Sequence, residues 1–183
     1  MYFGKNVKLR AHKREDMKRI YEFLNDYELK SIYDTVVAFP STIEQIEKDY
    51  NEETIEDNGK YSFAIEHIET GRYIGSCIIT ETNFIARVAK VGIIIGDKEF
   101  IGKGFGTDAM KVFIKFIFYE MNMNKVKLEV FSHNKRAIKS YEKCGFKVEG
   151  VLREEGYKNG SYRDLVLMSI LRREYDLNKL NEP

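Results

Sequence analysis

Three glycines at alternate positions, Gly102, Gly104 and Gly106, follow the apolar run Val91-Gly92-Ile93-Ile94-Ile95-Gly96 and lead into Thr107-Asp108-Ala109. Glycines so spaced let backbone amides turn toward a ligand with no Cβ in the way, and a helix starting there adds unpaired N–H groups and the positive end of its dipole. The chemistry such a place supports is the binding of phosphate. Lys103, between two of the glycines, adds a cation suited to the same ligand. The spacing meets neither the P-loop pattern nor the dinucleotide fingerprint, and three glycines alone would serve equally as a flexible connection. A second group is acidic: seven carboxylates (Glu44, Glu47, Asp49, Glu52, Glu53, Glu56, Asp57) stand against Lys48 alone. A solvated helix face is the ordinary meaning of such a run, and a surface that draws a cationic substrate is the sharper one.

The elements that would position these groups follow from periodicity. Asn6 to His12 alternates as a first strand, and Glu15 to Asn25 places Met17, Ile20, Tyr21 and Leu24 on one helical stripe. Ser41-Thr42-Ile43-Glu44 is a capping box that opens a second helix running to about Glu56, ended by Asn58-Gly59. Tyr61 to Ile68 and Arg72 to Thr82 form a hairpin, and Asn83 to Arg87 turns into the central strand. Past the glycines, Val112, Phe113, Phe116 and Ile117 recur at helical spacing until Met121-Asn122-Met123-Asn124. Lys125 to Ser132 is the next strand. Asn134 caps a helix carrying Ala137, Ile138 and Tyr141 on one side, with Gly145 beyond its end. Lys147 to Tyr157 and Tyr162 to Leu171 pair through Asn159-Gly160, a strong hairpin signal, and the charged tail from Arg172 is expected to fray. The architecture is α/β (α+β): a mixed, mostly antiparallel sheet of seven strands with helices on both faces, in the order βααβββαβαββ. Residues 1–172 make one domain and 173–183 a tail.

With 183 residues, 43% of them hydrophobic and 32% charged, the chain is an ordinary globular protein with one core. No apolar run approaches the roughly 18 residues of a membrane span, and the amino terminus lacks a signal-peptide core, so a cytoplasmic location is expected. A net charge of +1 argues against general affinity for nucleic acid. Cys77 and Cys144 lack metal-ligand spacing and His12, His67 and His133 form no cluster, so reduced thiols and no metal are expected. Tyr162, Leu165 and Leu167 in the last hairpin leave a homo-oligomeric contact open beside core packing.

The element order, the glycine loop after the fourth strand, and Asn134-Lys135-Arg136-Ala137-Ile138-Lys139-Ser140-Tyr141-Glu142-Lys143-Cys144-Gly145-Phe146 after the fifth resemble the GNAT family of acetyl-CoA-dependent N-acetyltransferases. The likeness runs from Lys8-Leu9-Arg10 to about Arg172. Arg14-Glu15-Asp16 and Tyr157-Lys158-Asn159-Gly160-Ser161-Tyr162-Arg163-Asp164 are similar to the branch holding ribosomal-protein N-terminal and spermidine/spermine acetyltransferases.

The resemblance implies that Ile101, Gly102, Lys103, Gly104, Phe105 and Gly106 hold the coenzyme A pyrophosphate through their amides. It implies that Ile93, Ile94 and Ile95 meet the pantetheine arm at a splay between the fourth and fifth strands, and that Asn134 and Lys143 contact the cofactor. Tyr141 matches the family tyrosine that protonates the departing thiolate; on spacing alone it is a core tyrosine. Two departures stand out: Ile101 replaces the usual Gln or Arg, and Lys90 stands where relatives often carry Glu. The carboxylate role then passes to Glu81 as base and substrate ligand, with Asp34 next on the substrate side. The implied activity is acetyl transfer from acetyl-CoA to a primary amine such as spermidine; a protein amino terminus and a non-catalytic CoA-binding sensor are the alternatives.

Overall fold

The computed structural model describes residues 1–33, 39–53 and 61–180. Its strands are β1 (Tyr2–Phe3), β2 (Val7–Arg10), β3 (Tyr61–His67), β4 (Tyr73–Asn83), β5 (Val88–Ile95), β6 (Lys125–Phe131), β7 (Lys147–Lys158) and β8 (Ser161–Leu171). They form one sheet in the order β1-β2-β3-β4-β5-β6-β8-β7. All neighbours are antiparallel except β5 and β6. The helices are α1 (Met17–Leu24), α2 (Tyr27–Tyr33), α3 (Ile43–Glu53), α4 (Phe105–Tyr119), α5 (Lys135–Glu142) and α6 (Arg172–Leu180).

The apolar stripe of α4 buries Ala109, Met110, Val112, Phe113, Ile114, Ile117 and Phe118. These pack on Ile74, Cys77, Ile79, Ala89, Val91, Val126 and Leu128 of the sheet, in the main core. At about 1.5–3 kcal/mol for each large side chain taken from water, that face is the principal reason α4 lies where it does. A smaller cluster of Phe23, Leu29, Ala64 and Tyr73, with Ile20 and Ile101 against it, joins α1 and the start of α2 to the sheet and the glycine loop. The two clusters account for helices on both faces.

Side-chain hydrogen bonds then fix the entry to α1. Arg10 donates to Asp16 at 2.7 and 2.9 Å and also pairs with Glu66, while Asp16 accepts the Lys13 N–H at 2.8 Å. A forked guanidinium between two carboxylates satisfies charges that are nearly all buried. At the other end of the fold, Asp108 in the first turn of α4 accepts the N–H groups of Lys5, Asn6 and Val7 at 3.0, 2.7 and 3.2 Å.

Several elements differ from the sequence reading. Among the described residues the sheet has eight strands because Tyr2–Phe3 pairs with Lys8 and Leu9, an edge addition too short to show any alternation. Helix α2 is separate from α1, opened by Asp26, whose Oδ1 accepts the Leu29 N–H at 3.1 Å. Thr42 rather than Ser41 caps α3, taking the Gln45 N–H at 3.2 Å. The stretch from 54 to 60, with Glu56 and the Asn58-Gly59 stop, lies outside the described residues. The segment expected to fray is α6: Tyr175 packs against Phe118 and Tyr119, and Glu174 accepts the Leu171 N–H at 3.1 Å. In the last hairpin Leu165 is buried in the core, whereas Tyr162 is exposed beside Tyr157. Asn159 and Gly160 have φ of 52° and 75°, the left-handed pair that a two-residue hairpin turn demands.

Candidate active site

The parallel ladder between β5 and β6 begins at Val88↔Lys125 and ends at Lys90↔Lys127. Beyond it β5 remains paired to β4 as far as Gly75↔Ile95, while β6 stays paired to β8 as far as Phe131↔Leu165. The two strands therefore open into a V, and among the described residues the β6-facing backbone of Val91 to Ile95 has no strand partner. A cavity of about 660 Å³ occupies this opening. A volume of this order suits an extended ligand of drug size or larger.

At the open end lies the glycine loop. Gly102 and Gly104 take φ of 79° and 90°, and Gly104 is the residue from which α4 starts. The helix thus begins inside the loop, so the amides of Phe105 and Gly106 belong to its unpaired first turn. Ile101, Gly102, Gly104 and Gly106 line the cavity, as do Ile93, Ile94 and Ile95. Phe105 turns its ring inward against Phe100 and His67, at 5.1 and 5.2 Å, and so anchors the loop by its side chain. Lys103 is exposed and does not line the cavity.

Helix α5 forms the opposite wall. Asn134 caps it through Oδ1 on the Ala137 N–H at 3.1 Å, so a ligand contact would fall to its amide nitrogen. Thr107 Oγ1 and Ser140 Oγ are 2.7 Å apart and tie α5 to the start of α4. Tyr141 lines the cavity and packs against Phe146, and among the described residues its hydroxyl has no hydrogen-bond partner. Burial, with Cys144 and Cys77 nearby, pushes its phenol well above the ordinary value. The same burial raises the Cys144 thiol to about 12 and the fully enclosed Cys77 higher still, so neither is a ready nucleophile.

Lys143 lines the cavity together with Arg136 and Lys139, residues that sequence reasoning passed over. Their spacing places all three on one side of α5, and the helical period would have revealed this. The far chamber is of different character. Its walls include Ile20, Phe23 and Leu24 of α1, Leu29 of α2, and Ile46 and Asp49 of α3. His12 reaches it beside Ser62, with Nε2 2.9 Å from Ser62 Oγ, and Tyr73 and Ser76 are hydroxyl-bonded at 2.7 Å. Burial holds His12 below its ordinary pKa, with Arg10 acting in the same direction and Asp16 against it.

Glu81 is not among the cavity-lining residues. Its side chain is 63% exposed and lies 3.5 Å from Lys90 Nζ, which is 2.9 Å from Glu129 Oε1. Glu129, on β6, does line the cavity, and nothing in the sequence marked it. Asp34 lies outside the described residues.

The loop amides, the cations of α5 and the open edge of β5 offer three kinds of partner to an extended phosphate-bearing ligand: donors for phosphate, balancing charge, and unpaired backbone for amides.

This combination of a splayed parallel pair, a glycine turn opening a helix and a tyrosine-bearing helix defines an acyl-CoA-dependent transferase fold. The chain belongs to the GNAT acetyltransferases: the family's acetyltransferase domain matches residues 6–147. It is 34% identical over 167 residues to spermidine N(1)-acetyltransferase of Vibrio cholerae serotype O1, covering 91% of this chain and 94% of that one. The spermidine N(1)-acetyltransferase of Escherichia coli K12 is 32% identical over 175 residues, covering 93% and 88%. A putative ribosomal N-acetyltransferase of Bacillus subtilis is 35% identical over 109 residues, covering 60% and 59%. The crystal structure of the Vibrio cholerae spermidine N-acetyltransferase in complex with CoA and spermine superposes with a TM-score of 0.85 at 33% identity, over 93% of this chain and 98% of that one.

Proposed function

We propose that the chain acetylates a primary amine of a polyamine, with acetyl-CoA as donor. The observation that carries this is the division of charge along one cavity: Arg136, Lys139 and Lys143 line its α5 wall, whereas its lining carboxylates come from elsewhere, Asp49 from α3 beside the apolar side chains of α1 and α2, and Glu129 from β6. A polyamine alternates ammonium groups with methylene chains, so it asks for carboxylates set among apolar walls. The spermidine N(1)-acetyltransferases among its relatives support the same reading.

Acetyl-CoA, when bound, supplies a thioester whose acyl carbon an amine nitrogen can attack. The loop amides and α5 cations hold the phosphates, while the open edge of β5 orients the arm. Tyr141, kept protonated by its burial, donates its proton to the sulfur as the carbon–sulfur bond breaks, and the proton shed by the attacking nitrogen returns to the phenolate, so that amide and free thiol are the products. The apolar chamber excludes water from the acyl carbon.

The test is thiol release from acetyl-CoA with spermidine, spermine, putrescine and short peptides bearing free amino termini. Turnover with spermidine or spermine and none with peptides is expected. Turnover with peptides alone would move the assignment to protein amino termini. CoA binding without turnover on any amine would leave a sensor.

A further inference from the structure

We infer that Glu129, held in place by Lys90, is the carboxylate that seats the ammonium group of the acceptor beside the reacting end of the arm. This rests on the amine-acetylating reading above and adds the residue through which the acceptor is recognised.

The placement follows from strand parity. Lys90 and Lys127 are the last paired residues of β5 and β6. Side chains two residues apart on a strand share a face, so Gly92 and Glu129 come next on the face that carries Lys90 and Lys127. They stand at the closed end of the V. An arm that enters past the glycine loop and follows Ile95, Ile94 and Ile93 reaches Gly92 as the gap narrows. Gly92 leaves this point open: a Cβ there would come within 3.3 Å of Ile78 Cγ2. Glu129 lines the cavity on the other side of the gap.

Lys90 Nζ faces Glu129 Oε1 at 2.9 Å and Glu81 Oε1 at 3.5 Å, one cation between two carboxylates. Glu81 is largely in solvent, whereas the Glu129 side chain is 29% exposed and set in the cavity wall. Glu129 Oε1 is occupied by Lys90, and among the described residues Oε2 has no hydrogen-bond partner. A carboxylate with one oxygen fixed and the other available is ordered before the ligand arrives, which reduces the entropy lost on binding. With Lys127 on the same face, the two carboxylates balance the two lysines, so an arriving ammonium meets a near-neutral group and its contact is the available oxygen of Glu129. Lys90 is thus a positioning residue, and Glu129 makes the contact.

Glu129→Gln preserves shape and removes the charge. Its KM for spermidine is expected to rise about 20-fold, with kcat within a factor of about three and the Kd for CoA unchanged. Glu129→Asp should recover part of the loss. Lys90→Met should raise KM less, and should add nothing further in the Glu129→Gln background, because the two act through one contact. An active wild type whose KM for spermidine is unchanged by Glu129→Gln overturns the inference, as does a loss confined to CoA affinity or thermal stability. If wild type acetylates no polyamine, the reading of the substrate falls separately. The same variant is then measured with whichever amine is accepted, and an unchanged KM removes Glu129.

Discussion

Asp97 Oδ2 accepts a hydrogen bond from Arg19 Nη2 at 2.6 Å, and this contact ties α1 to the chain leaving β5. Arg72 reaches the same oxygen at 2.7 Å, while Asp97 Oδ1 accepts the Glu99 N–H at 3.1 Å. Arg19 also donates to the Tyr73 carbonyl at 3.1 Å and lies over the Phe23 ring. One buried carboxylate therefore joins the turn that leads into the glycine loop to the apolar wall of the far chamber.

Asp97→Ala should disturb both ends of the cavity together. Loss of the charge-assisted bond to Arg19 costs about 2 kcal/mol, which for a chain of this size lowers Tm by roughly 6 °C. KM should rise for acetyl-CoA and for the amine alike, with a differential scanning measurement and steady-state kinetics as the checks. A rise for one substrate only would mean that Asp97 does not couple the two chambers.

Gly104 has φ of 90°, and a Cβ there would meet nothing within 4 Å, so the obstacle to a side chain is backbone strain rather than crowding. An alanine in that region costs about 1–2 kcal/mol or rotates the loop to relieve it. Either way the amides of Phe105 and Gly106 lose their alignment. Gly104→Ala should weaken CoA about tenfold by calorimetry, with the amine KM unaffected. Gly106→Ala is the contrasting variant, since its φ is ordinary and its Cβ meets Ile95 Cγ1 only at 3.4 Å. It should leave the fold intact while intruding on the ligand itself.

The features legible in the sequence are those whose causes are local. Alternating glycines before a helix, Asn134 three residues ahead of the N–H it caps, and Asn159-Gly160 in a two-residue turn each act within a few residues. Strand β1 was not legible because two residues carry no period and their place depends on pairing with β2 and on the Asp108 contacts to the linker from Lys5 to Val7. Helix α6 reads as a charged tail until Tyr175 is found against Phe118. The site divides in the same way. The glycine loop and Tyr141 could be read from motifs, whereas Glu129 is recognisable only once β5 and β6 are seen to part after Lys90. Lys90 in place of a familiar carboxylate pointed to a rearrangement, and the sequence directed attention to Glu81, its ladder partner, rather than to the adjacent strand.

Tyr141→Phe removes a hydroxyl that has no hydrogen-bond partner among the described residues, and leaves the packing against Phe146 in place. The fold should tolerate it. Turnover should drop about 100-fold while the Kd for CoA stays constant, since the ring and not the hydroxyl fills the wall. Pre-steady-state release of free thiol is the direct readout. Unchanged turnover would take Tyr141 out of the reaction and return it to the core.

The Arg10 cluster gives stability a predictable dependence on acid. For both Asp16 and Glu66 burial alone would raise the carboxyl, but hydrogen bonds from the Arg10 guanidinium, with Lys13 N–H on Asp16 and Lys8 on Glu66, outweigh it and leave each below its ordinary value. A carboxylate depressed in the folded state contributes stability that is complete above its unfolded pKa, about 4, and is lost as pH falls through the folded value. Asp16→Asn cannot make that contribution at any pH. The difference in urea unfolding free energy between wild type and Asp16→Asn should therefore be constant from pH 7 to about 5 and shrink below about 4. Removing Arg10 instead leaves Asp16 buried without its cation and Glu66 with Lys8 alone, so Arg10→Ala should cost more than Asp16→Asn at pH 7, about 3 kcal/mol or above. Protonating those carboxylates relieves the penalty, so the Arg10→Ala deficit should also narrow in acid. A deficit that widened instead would show that Arg10 acts by packing its stem rather than by charge.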